Sequence, residues 1–144
     1  MSKAKITSIK KSKNTETIPK LEMMGMLLAA NLSKFCLEAM KNYSIKKKII
    51  WSDSKVALAQ CSSVKSNKNA FVHNRVVRIR ELCKGFEIRY VNSFDNPADM
   101  TTRPITTNHL KNNNLWKKGP LWLTDESNWQ KEEEKFNLFP IPLV

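Results

Sequence analysis

Three acidic residues stand where the chain passes into a helical pattern: Glu22 in TIPKLEMMG, Asp53 in IIWSDSK and Asp99 in NPADMTTR. Carboxylates at strand ends and helix starts can converge on one edge of a sheet, and their oxygens suit hard divalent cations such as Mg2+. Two such ions about 3.5–4 Å apart can activate a water and stabilise the leaving oxygen of a phosphodiester. Each acid also has a plain structural role. Glu22 in a first helical turn complements the helix dipole, Asp53 after a strand is an ordinary N-cap, and Asp99 follows a capping Asn by three residues. The acids alone therefore do not establish a nuclease. Other metal chemistry has less support, because His73 and His109 have no His or Cys partner at ligand spacing. Cys36, Cys61 and Cys83 are odd in number, widely spaced and without a C-x-x-C pair, which argues against zinc and against a disulfide framework.

The elements that must position these acids can be read from periodicity. Leu21, Met24, Leu28, Leu32, Phe35 and Ala39 recur at three- and four-residue steps, the period of a buried helix face. Thr17 is its expected N-cap and Pro19 fits the first turn. Ile45 to Trp51 is rich in β-branched and aromatic residues and predicts a strand, which Ser52, Asp53 and Ser54 stop before a helix from about Lys55 to Cys61. Val72, Val76, Ile79 and Cys83 mark another amphipathic helix, ended at Gly85. Phe86 to Asn92 alternates as a half-buried strand, and a helix is expected to open at Asn96-Pro97. Ala4 to Ile9 is a further strand candidate.

The chain has 144 residues, enough for one modest domain. Its 41% hydrophobic content and mean hydropathy of −0.46 exclude a wholly disordered or membrane-spanning class. The first residues carry no secretory pattern, so the expected setting is intracellular, cytoplasmic or nuclear. The 25 basic against 13 acidic residues give a net charge of +12, which favours a polyanion such as nucleic acid as partner. The surplus is concentrated early, with 11 basic and 3 acidic side chains in residues 1–50. Lys46, Lys47 and Lys48 precede Trp51, and Arg75, Arg78 and Arg80 share one helix; either set could contact phosphates or simply be a solvated face. Trp116, Trp122 and Trp129 could stack on bases, but bulky aromatics near GPLWL suit a packing extension better. The expected division is a basic segment with a possible edge strand (1–16), a core (17–104), a Trp-containing extension (105–130) and a loose C-terminal tail (131–144).

TIPKLEMMGMLLAANL, IIWSDSKVALAQCSS, FVHNRVVRIREL, RYVNSFDNPADMTTRPI and LWKKGPLWL together resemble, in the same order, the ribonuclease H region of BEL/Pao-type LTR retrotransposon polyproteins. The resemblance runs from about Thr17 to Trp129. It implies an α/β, ribonuclease H-like fold: a five-stranded mixed sheet flanked by helices, whose acids bind Mg2+ and cut the RNA strand of an RNA–DNA hybrid. On that pattern Glu22 is a helix-borne ligand, Asp53 a strand-end ligand and Asp99 the last ligand. Related retroviral enzymes carry a mobile His before the last acid, where this chain has VNSFDN. The family's first catalytic Asp lies on a strand before the TIPKLE block, and residues 1–15 contain no acid.

The expectation is thus an N-terminally truncated mixed sheet, lacking the first two strands and gapped at its centre, with three of four metal ligands. Such a segment is expected to be inactive by itself. A non-catalytic nucleic-acid-binding remnant is the alternative, and a third reading is an active nuclease whose missing strands come from another chain, such as the rest of a reverse transcriptase polyprotein.

Overall fold

The computed structural model describes residues 17–65, 67–129, 135–136 and 138. Helix α1, Ile18–Ala39, opens after Thr17 with a proline in its first turn, where missing N–H groups cost nothing. Met23, Met26, Leu27 and Ala30 form the face that packs into the core, not the expected stripe of Leu21, Met24, Leu28, Leu32, Phe35 and Ala39. Of that stripe Leu21, Phe35 and Ala39 are exposed, because α2, α3 and β1 meet the helix on its other side. Strand β1, Ile49–Ser52, is short and β-branched at its start. Ser54 ends it and caps helix α2, Lys55–Ser62, by accepting a hydrogen bond from the Ala57 N–H at 3.1 Å. Asn69 caps helix α3, Ala70–Leu82, in the same way through the Phe71 N–H at 3.0 Å. Gly85 then takes φ +83, a left-handed conformation that costs glycine little, and turns the chain into strand β2, Glu87–Tyr90.

β1 and β2 pair in parallel, with Ile50 opposite Ile88 and Trp51 opposite Arg89. Two helices, α2 and α3, form the crossover that a parallel pair requires. Strand β3, Lys135–Phe136, adds to the other edge of β2 in the antiparallel sense, so the sheet order is β1-β2-β3. The fold is mixed α/β, mostly helical around this small sheet. Between β2 and β3 run short 3-10 turns and two short helices, α4 (Thr107–Asn112) and α5 (Asn114–Lys118).

Alternation splits the sheet into two faces. Ile50 and Ile88 are buried on one, with Phe136 in register beside Ile88; Met23, Ala57, Leu58, Cys61, Val76 and Ile79 complete that core. α2 lies over β2 and β3, whereas α1 reaches the sheet at β1. On the opposite face Trp51 meets Trp122 and Trp129 edge-on, at centroid distances of 5.0 and 5.9 Å. Arg89 is only 6% exposed there, held by two bonds to Glu87 Oε2 and lying within 6 Å of the Trp51 and Trp129 rings.

Several expectations change. The two predicted strands are real but shorter, because Ile45 to Lys48 and Phe86 have no ladder partner beyond the Glu87 N–H to Lys48 O bond. The helix expected at Pro97 is the 3-10 turn Pro97–Thr102. The tail is not wholly loose: Phe136 joins the sheet, a pairing invisible without β2 beside it. Glu22 sits one turn further into α1 than expected. The strand proposed at Ala4–Ile9 lies outside the described residues, and no gap interrupts the sheet among the described strands.

Candidate carboxylate site

The C-terminal end of β1 is where the acids meet. Asp53 comes directly after the last residue of β1, and Asp99 belongs to the turn Pro97–Thr102, which Asn96 caps by accepting a hydrogen bond from the Ala98 N–H at 3.1 Å. The two carboxyl groups lie within hydrogen-bonding reach of each other. Partial burial pushes the Asp99 pKa up, the neighbouring Asp53 charge adds to it, and Arg103 works against both. The Asp99 carboxyl therefore holds its proton more tightly than a free Asp would.

Glu22 approaches from α1. Its Oε2 accepts a 2.6 Å bond from the Ser54 hydroxyl, which at the same time caps α2. One hydroxyl thus ties the helix-borne acid to the residue after Asp53. Ser54 was legible only as a cap; its second role needed the α1–β1 packing.

A second brace comes from the Trp-containing extension. Trp122 lies edge-on to Trp51, two residues before Asp53, and its Nε1–H donates to Asp95 Oδ2 at 3.1 Å, four residues before Asp99. Both carboxylate-bearing segments therefore rest on one indole. The sequence signal was the clustering of tryptophans, which identified packing without showing what they pack on.

The basic residues differ in how far they are already engaged. Arg75 lies flat over the Phe71 ring at 3.3 Å, donates to Phe71 O at 2.9 Å and reaches Met24 Sδ, so it joins α3 to α1. Arg78 is exposed and pairs with Glu81 at 3.1 Å. Arg80 donates to the Cys61 and Ser63 carbonyls. Lys47 pairs with Glu126 and lies over Trp129, Lys48 lies over Phe86, and Lys46 is exposed.

Carboxylates are the right donors for Mg2+, and the Asp53–Asp99 pair offers two of them in contact. Among the described residues, however, no group of three or more His, Cys, Asp or Glu side chains stands in a geometry that could hold a metal. Two carboxylates are donors of the right chemistry for a hard cation but are fewer than a two-ion site needs.

Residues 1–54 match the family model of the Pao retrotransposon-like RNaseH-like domain. The match takes in Glu22, Asp53 and Ser54 and stops before Asp99. The matched residues are similar to that family and contain α1 and β1, whereas α2, α3 and β2 lie outside the match. No curated protein and no solved structure matches the chain. Among the described residues no helix is long and apolar enough to cross a membrane.

Proposed function

We infer that this retrotransposon-derived RNase H-like segment engages nucleic acid beside the Asp53–Asp99 pair, takes up one Mg2+ ion there, and does not cut RNA–DNA hybrid by itself. The observation that carries the reading is the proximity of Asp53 and Asp99, close enough for the Asp53 charge to raise the Asp99 pKa and brought together from the end of β1 and the turn after β2. Two carboxylates so close repel when both are ionised, and either a proton or a divalent cation relieves that repulsion. Mg2+, when bound, supplies a Lewis acid for a phosphate oxygen. The protein's own residues hold the site: Asp53 and Asp99 are the donors, Glu22 is aimed through Ser54, and Trp122 steadies both segments. A two-ion site needs more carboxylate than this, which is why cleavage is not expected of the chain alone.

The net charge of +12 supports the second half of the reading, phosphate binding with weak sequence preference and a steep salt dependence. Lys46 and Lys48 are the cations offered for it, with Arg78 held only by an exposed pair to Glu81; Arg75 and Lys47 would have to leave their intramolecular partners first. The experiment combines two measurements on pure protein. Mg2+ titration followed through Asp side-chain NMR signals should show one ion per chain, lost in Asp53→Asn, and a labelled hybrid should remain uncut. Hybrid-specific cleavage abolished by Asp53→Asn would overturn the inactive reading. Saturable Mg2+ binding unaffected by Asp53→Asn would remove the carboxylate site and favour a purely nucleic-acid-binding remnant.

A further inference from the structure

Helix α1 is apolar on two opposite sides. One side, carrying Met23, Met26 and Ala30, is buried against α2, α3 and β1. At 100° per residue the other side carries Ile18, Leu21, Gly25, Leu28, Leu32 and Phe35. Their spacing alternates three and four residues without interruption, the a/d repeat of a coiled-coil seam. This side is open among the described residues: Ile18 is 72% exposed, Leu21 38% and Phe35 52%. Leu28 and Leu32 are half-buried but stand outside the buried cluster, and a Cβ added at Gly25 would meet nothing within 4 Å. A helix hydrophobic all round is ordinarily a buried helix, yet among the described residues this one is covered on a single side.

We propose that the open seam of α1 is the dimer interface of this protein, packed against the same seam of a second copy. Two observations select a copy of this chain as the occupant. The seam has the strict repeat that a helix with the same repeat interlocks with, over a helix of about 33 Å, and a two-fold pairing gives each copy that partner. Charge points the same way. In a chain of net charge +12, α1 contains only Lys20, Glu22, Lys34 and Glu38, and the positions flanking the seam hold no Lys or Arg. Arg75, drawn from α3 onto Met24 Sδ, brings a cation to the edge of this face, and the seam positions themselves are uncharged, so two strongly basic molecules meet here with few cations opposed. The seam lies opposite the buried side of α1, so pairing leaves the fold of each copy intact. The proposal does not depend on the function of the carboxylate pair.

Sedimentation equilibrium on the full chain from about 1 to about 100 µM tests it. The expected result is a reversible approach to twice the 16.6 kDa of one chain. Leu21→Glu/Phe35→Glu, both at exposed positions, should keep the far-UV circular dichroism of the parent and raise the dissociation constant by about 100-fold or more. Phe94→Glu, an exposed apolar residue away from the seam, should associate as the parent does. A parent that stays monomeric over the whole range assigns the seam to a different molecule and overturns the proposal. So does a folded Leu21→Glu/Phe35→Glu variant with unchanged association, or a parent that passes the dimer into larger, open-ended species. Should the double variant lose its helical signal, Leu28→Ser at the seam's centre replaces it under the same criteria.

Discussion

Replacing Trp122 by Phe removes one hydrogen-bond donor and keeps an aromatic ring against Trp51. The lost bond runs from Nε1 to the Asp95 carboxylate at 3.1 Å. Bonds to charged acceptors contribute about 1.5–3 kcal/mol when buried, and the half-exposed setting of Asp95 reduces this to about 1 kcal/mol. The edge-to-face contact with Trp51, of the order of 0.5–1.5 kcal/mol, is largely retained. Urea unfolding monitored by far-UV circular dichroism should therefore register a loss of about 1 kcal/mol, roughly fivefold in the folded-to-unfolded ratio. The more specific effect is on Asp99. Its pKa is raised because the turn carrying it is partly buried and held against Asp53. Freeing Asp95 lets that turn move away, so NMR titration should find the Asp99 carboxyl shifted down towards the ordinary range. Trp129→Phe is the control, since it loses a bond of equal length, Nε1–H to Leu123 O at 3.1 Å, without touching the Asp99 segment. If Asp99 titrates alike in parent and Trp122→Phe, or moves equally in Trp129→Phe, the bracing argument fails.

Met23 is fully buried beneath α2 and α3, and Met23→Ala should destabilise by about 2–5 kcal/mol in the same urea assay. Arg75→Ala should cost about 1 kcal/mol through loss of its stacking and its links to α1, whereas Arg78→Ala, at an exposed ion pair, should stay within about 0.5 kcal/mol; equal effects would contradict the placement of Arg75. Burial pushes the Cys61 thiol up to about 12 and that of Cys83 to about 11, from 9.0. Because both folded values lie above the unfolded one, the stability of the neutral thiols is fully present below pH 9 and is lost as pH rises through 11 to 12. Cys61→Ala should flatten the alkaline fall of the unfolding midpoint, and a parent-like slope in that variant would refute it. In the native state an aromatic disulfide reagent at pH 8 should modify half-exposed Cys36 and reach Cys61 and Cys83 only on unfolding.

Local chemistry was enough to place α1, α2, α3 and the cores of β1 and β2, because caps, glycine turns and apolar periodicity act over a few residues. Thr17, Ser54 and Gly85 sit at their expected boundaries for that reason. It nonetheless chose the wrong face of α1 as the buried one, since α1 is apolar on two sides and only packing decides between them. The same chemistry singled out Glu22, Asp53 and Asp99 one at a time, each with a capping or dipole role as an equal alternative. What no local signal could supply was their relation. Asp53 and Asp99 are 46 positions apart in the chain, and their contact exists only because β2 pairs in parallel with β1 and delivers the turn after it to the same end of the sheet. Ser54 became a link to Glu22, and Trp122 a brace between two segments, through packing of elements that share no sequence neighbourhood. The C-terminal strand is the plainest case. Two residues, Lys135 and Phe136, carry no period of their own and are a strand only because the open edge of β2 presents N–H and C=O groups that must be paired.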